Sequence, residues 1–144
     1  MPSRTHLFGQ LWKEYSLSDH RYLTRDPFVV CMETITAVFW GPLSFLIAWF
    51  IMTDHPLRHP LQLLVSLGQL YGDVLYYATF FFEETVFGEV FCRPERYYFW
   101  GYYVLMNGFW IVFPGCLVLQ SVRETGRVFR QVQGLKVDAR KKSA

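Results

Sequence analysis

Three long apolar runs alternate with short polar stretches along this 144-residue chain. The first, Phe28 to Thr53, holds 26 residues and a single charge, Glu33. A helix needs roughly 20 apolar residues to cross a bilayer, so this run is long enough to span. A second run begins at Pro60, reaches about Phe82 and closes on Glu83-Glu84. The third, about Tyr97 to Val122, carries no charge and opens on a crowd of Trp and Tyr, as an interfacial aromatic belt does. The pattern predicts an all-α, polytopic membrane helix bundle with three transmembrane helices. The spans fall at about 28–52, 60–82 and 97–122, within a membrane domain over 27–122. Asp26-Pro27 predicts the first helix start, with Asp as N-cap and Pro at the first helical position. Residues 1–26 read as a polar interfacial segment without a secretory leader, and 7–23 as a short surface helix or loop. From Arg123 to Ala144 the chain reads as a basic, mobile tail.

Polar residues inside the runs fall on stripes. Glu33, Thr36, Trp40 and Ser44 lie 3, 4 and 4 apart in the first run. Gln62, Ser66, Gln69, Asp73 and Tyr76 share a face of the second, and Trp100, Tyr103, Asn107, Trp110 and Pro114 a face of the third. Lipid rejects such groups, so the stripes expect to face one another. With up–down–up spans and 1.5 Å per residue, Glu33 lies roughly 8 Å in from the side opposite the tail. Thr36 then lies at about 12 Å, Asp73 at about 14 Å and Asn107 at about 15 Å, all in one half of the membrane. The bland reading makes these groups glue between helices, and it suits Gln62, Ser66 and Gln69. An intramembrane carboxylate is a functional hypothesis by default, which favours a role for Glu33. Asp73 stands evenly between structural partner and site residue. Trp110, three residues beyond Asn107, offers a π-surface to a cation.

Composition narrows the chemistry. The chain is 52% hydrophobic and 19% aromatic, and polar ends hold its mean hydropathy to +0.15. A net charge of +2, with seven of the 14 Lys and Arg beyond residue 122, leaves no basic groove, so no nucleic-acid partner is expected. Three cysteines form no disulfide framework. No Cys/His spacing fits zinc and no Gly-rich loop cradles phosphate, so neither metal nor cofactor is expected. All four histidines, His6, His20, His55 and His59, lie outside the runs, away from the depth of Glu33. The basic tail argues for a cytosolic C-terminus by the positive-inside rule. Its ending, Lys141-Lys142-Ser143-Ala144, matches a dilysine retrieval pattern and predicts a multi-pass protein of the endoplasmic reticulum membrane.

The stretches LWKEY (11–15), DHRY (19–22), VCMETITAVFWGPLS (30–44), HPLR (55–58), QLYGDVLY (69–76) and MNGFWIVFPG (106–115) carry a family resemblance. From Gly9 to about Ser121 the chain resembles the emopamil-binding, sterol Δ8,Δ7-isomerase branch of the EXPERA superfamily of small membrane bundles. The ETIT stretch is of the isomerase kind rather than that of the sister emopamil-binding-protein-like sequences. The resemblance implies that the chain corresponds to the last three helices of a five-helix bundle. The first two would hold a His and a Glu of the proton-transfer apparatus.

What the resemblance places on this chain is a catalytic set of Glu33, Thr36, Asn107 and Trp110. Substrate would be bound by Glu33, Trp110, Tyr103 and Asp73. The implied reaction moves a sterol double bond from C8–C9 to C7–C8 through a carbocation, without redox cofactor or metal. Implied partners are a Δ8-sterol, cationic amphiphilic amines that mimic the cation, membrane lipid, and a second copy or a full-length family member. The alternative is a non-catalytic sterol- or amine-binding or regulatory protein of the same family. A third reading is a membrane protein whose polar stripes only pack.

Overall fold

The computed structural model describes residues 6–142; their regular structure is helical, joined by turns and a loop over 88–95, with no strand among them. Helix α1, Leu7–Tyr15, is capped by His6, whose Nδ1 accepts from the Gly9 N–H at 3.1 Å. A tight turn follows, and a single helical turn, α2, covers Arg21–Thr24. It stops at Arg25, which takes a left-handed conformation (φ 59°). Helix α3, Pro27–Met52, starts as Asp26-Pro27 predicts: the Asp26 carboxylate accepts from the Val29 N–H at 3.0 Å. Helix α4, Arg58–Phe87, runs 30 residues and ends at Gly88, whose φ of 71° is open to glycine without a Cβ penalty. Helix α5, Tyr98–Lys142, runs 45 residues. The stretch read as a mobile tail is therefore helical as far as Lys142. Its Glu, Arg, Gln, Lys and Ala are good helix formers, so the α5 backbone ladder continues beyond the apolar run. The ending Lys141-Lys142-Ser143-Ala144 lies partly outside the described residues.

Two π-helical stretches interrupt the α geometry, Thr36–Trp40 in α3 and Tyr98–Met106 at the start of α5. Bonding from i to i+5 widens the turn and rotates every following side chain relative to a 3.6-residue count. The Tyr77 hydroxyl donates to the Val104 carbonyl at 2.9 Å and approaches that of Tyr103 at 3.3 Å, supplying a donor inside the second stretch.

Helix α4 is central, packed along α5 on one side and α3 on the other. Its buried face is Gln62, Val65, Ser66, Asp73, Tyr76 and Phe80. The Gln62 Nε2 donates to the Gln120 Oε1 and Ser121 Oγ, each at 3.0 Å, which is the inter-helix glue expected of it. Val29, Tyr76, Phe80, Phe91 and Tyr103 form the packed core. Outward faces carry large apolar groups such as Phe45 (80% exposed), Trp49 and Phe113. Helices α3 and α5 are long and apolar enough to cross a membrane, and only 6% of the apolar stretch of α3 is buried. A core helix of a soluble protein would be mostly buried, so these faces suit lipid. Gln62, Ser66, Gln69 and Asp73 lower the hydropathy of α4, while Leu64, Leu67, Val74 and Phe82 on its other face are exposed.

Gly68 fixes the approach of α3 to α4. A Cβ there would stand 2.6 Å from the Trp40 indole. Gly68→Ala is expected to destabilise the protein by about 1–3 kcal/mol through overpacking, read as a lower unfolding midpoint in detergent. An unchanged midpoint would mean that the Trp40 ring has room to retreat.

A candidate ligand cavity between the helices

A cavity of about 860 Å³ opens between α1, α3, α4 and α5. That lies in the range of pockets for drug-sized ligands. Glu33, Thr36, Trp40, Gly68, Gln69, Gly72, Asp73, Asn107 and Trp110 all line it. The stripes of the three long helices thus converge on one space. Leu11, Trp12, Phe28, Met32, Ile35 and Leu75 make the rest of the wall mainly apolar.

The N-terminal segment lies over this cavity, with α1 a short helix that has no buried residue. Phe8, Leu11, Trp12, Tyr15 and Tyr22 all face it. The Tyr22 hydroxyl donates to the Glu33 Oε1 at 2.8 Å. The Tyr15 hydroxyl donates to the Asn107 Oδ1 at 2.9 Å, and the Asn107 Nδ2 donates to the Tyr103 carbonyl at 2.7 Å. Asn107 is thereby locked in one amide orientation. Burial raises the pKa of both phenols, against the bond from Tyr15 to Asn107 and reinforced for Tyr22 by Tyr15 and the Glu33 charge. Both therefore remain donors at ordinary pH. The rings of Trp12 and Tyr22 meet edge to face at 5.0 Å, and those of Tyr15 and Tyr22 at 5.6 Å.

A buried ion pair holds this lid. Arg21 and Asp19 are 1% and 0% exposed, and the Arg21 Nη2 lies 2.7 Å from the Asp19 Oδ2. The Arg21 Nη1 donates to the Thr79 Oγ1 at 2.9 Å, and the guanidinium stacks over Tyr76 with its carbon 4.8 Å from the ring centre. Burial opposes its charge, but the hydrogen bonds and charge of Asp19 overcome this and raise the Arg21 pKa. The Tyr98 hydroxyl ties α5 to α1 by donating to the Glu14 Oε1 at 2.8 Å.

One expected wall residue is elsewhere. Tyr103 is fully buried in the core among Tyr76, Tyr77, Phe80 and Phe99, and Tyr102 lines the cavity instead. The cause is the π-helical stretch, which turns Tyr103 off the face that a 3.6-residue period assigns it. Trp100 of the same stripe is exposed, and Ser44 bonds back to the Trp40 carbonyl within α3. Among the described residues no histidine lines the cavity. His20 lies against the Phe91 carbonyl, and His55 stacks on Phe50. No cluster of metal-ligating side chains occurs among the described residues.

Helices whose apolar faces point outward and whose polar residues turn inward, around a mainly apolar cavity, define a small membrane-type helical bundle. The chain belongs to the EXPERA (EXPanded EBP superfamily) family, whose pattern it matches over residues 7–121. It is 49% identical over 115 residues to the mouse (Mus musculus) 3-beta-hydroxysteroid-Delta(8),Delta(7)-isomerase, an alignment covering 80% of this chain and 49% of that protein. It is 38% identical over 130 residues to a probable isomerase of the same name from Oryza sativa subsp. japonica, covering 90% and 56%. It is 31% identical over 132 residues to a protoglabretal synthase of Citrus sinensis, covering 92% and 60%. The chain spans about half the length of the mammalian relatives it matches.

Proposed function

We propose that this chain carries an intramembrane sterol site of the Δ8–Δ7 isomerase type. The observation that carries the reading is the convergence of Glu33, Thr36, Asn107 and Trp110 on one mainly apolar cavity of about 860 Å³. The names of the relatives give the substrate class. In the proposed reaction a proton adds to C9, a tertiary cation forms at C8, and a C7 proton leaves as the C7–C8 bond forms. One proton enters and one departs, so no redox partner is required.

In that scheme Glu33 is the base or the negative wall beside the cation. Trp110 stabilises the cation through its π-face. Asn107, fixed by Tyr15, and Thr36 orient the carboxylate or the ligand. The same walls would take cationic amphiphilic amines, because an ammonium resembles the carbocation. In the proposed topology α4 is a third span that packs against α3 and α5 and presents Leu64, Leu67, Val74 and Phe82 to lipid. The chain sits in the endoplasmic reticulum membrane with its C-terminus cytosolic, and it pairs with a second copy or a full-length family member.

One observation favours a second reading, sterol or amine binding without turnover. Among the described residues no imidazole reaches the cavity, so the usual acid–base side chain is missing from its wall. Expression of residues 1–144 in cells lacking Δ8,Δ7-isomerase separates the two. Formation of Δ7-sterol supports turnover, and its absence alongside retained amine binding leaves binding alone. A radiolabelled cationic amphiphilic amine is expected to bind wild type and to lose about tenfold or more in affinity in Trp110→Ala. Equal affinity would remove Trp110 from the cation site, and no binding to either would leave packing as the role of the stripes.

A further inference from the structure

The polar groups of the cavity divide into two sets. Glu33 and Asn107 are satisfied by Tyr22 and Tyr15. Asp73 is not. It is 8% exposed, its Oδ2 is buried without a hydrogen-bond partner, and among the described residues it forms no ion pair. A buried carboxylate oxygen with no donor is costly, and more so within an apolar bundle. Asp73 nevertheless lines the cavity. Gln69 stands one turn before it, and Gly68 and Gly72 leave the α4 surface low on either side.

We propose that Asp73, with Gln69, is the anchor for the hydroxyl group of a polycyclic lipid alcohol. The proposal rests on the sterol-site reading above and deepens it by fixing which way round the ligand lies. A hydroxyl donates one bond and accepts others. Its proton meets the Asp73 carboxylate where that side chain reaches the cavity wall, and its oxygen accepts from the Gln69 amide. The cation-stabilising groups, Glu33 and Trp110, are separate residues on the other two helices. By helical rise Asp73 lies about 6 Å deeper than Glu33. The ligand is thus held by its hydroxyl at Asp73, with its ring system extending toward Glu33.

The test compares two probes on residues 1–144 reconstituted in nanodiscs: a Δ8-sterol with a free 3β-hydroxyl and its 3-deoxy analogue. Wild type is expected to bind the alcohol at least about tenfold more tightly, as a hydrogen bond to a charged group implies. Asp73→Ala is expected to bind both probes equally, at the affinity wild type shows for the deoxy analogue. Equal binding of the two probes by wild type overturns the anchor and leaves the sterol site standing, and this comparison needs no variant to fold. Preference for the alcohol that survives in Asp73→Ala also overturns it. Binding of neither probe to wild type overturns the sterol-site reading and the anchor with it.

Discussion

Glu33→Gln is expected to lower Δ7-sterol formation by about 10²- to 10⁴-fold, the range of a lost general acid–base group. The measurement is sterol composition in isomerase-deficient cells expressing residues 1–144 or the variant at matched levels. The substitution keeps shape and volume, and the Gln carbonyl still accepts from the Tyr22 hydroxyl that now reaches the Glu33 Oε1 at 2.8 Å. The lid contact therefore survives while proton exchange does not. Amine affinity is expected to fall as well, because the negative wall is gone. Full activity in Glu33→Gln would end its acid–base role and leave Glu33 as the acceptor that seats Tyr22.

How far the sequence foretold this site depends on the kind of feature. The Asp26-Pro27 start was legible because capping is local chemistry. That Glu33, Thr36, Asp73 and Asn107 lie in one half of the membrane was legible from helical rise. That they and Trp110 line one cavity was not, because spacing does not fix which way each face turns. Tyr103 was misplaced because a π-helical stretch has no signature in a 3.6-residue period, and it moved the wall position to Tyr102. The lid was missed for another reason. Residues 7–23 mix aromatic and charged positions, as a surface helix does, and the pairing of Asp19 with Arg21 two residues on lies in a turn outside helical spacing rules. A signal was present in Leu11, Trp12, Tyr15 and Tyr22, an aromatic-rich cluster too concentrated for a solvated face.

Because the lid hangs on that ion pair, Arg21→Ala is expected to have the largest effect on stability. It strips the partner from Asp19, which is 0% exposed, and removing one member of a buried pair costs about 3–5 kcal/mol. It also removes the donor to Thr79 and the stacking over Tyr76, which join α2 to α4. The measurement is denaturant unfolding in detergent, followed by Trp fluorescence. The double variant Asp19→Asn, Arg21→Met is expected to recover much of the loss, since no unpaired charge is then buried. If the double variant is no more stable than Arg21→Ala, the guanidinium's contacts with Thr79 and Tyr76, rather than the unpaired Asp19 charge, are the source of the stability. Arg21→Lys distinguishes charge from geometry: a lysine keeps the attraction to Asp19 but cannot also reproduce the planar fork that reaches Thr79 and the Tyr76 carbonyl. It is expected to unfold between wild type and Arg21→Ala. Tyr22 follows Arg21 directly, so a loosened α2 also withdraws the donor from Glu33. Loss of lid stability and loss of ligand affinity should therefore rank the three variants in the same order, and affinity unchanged across them would separate the lid from the site.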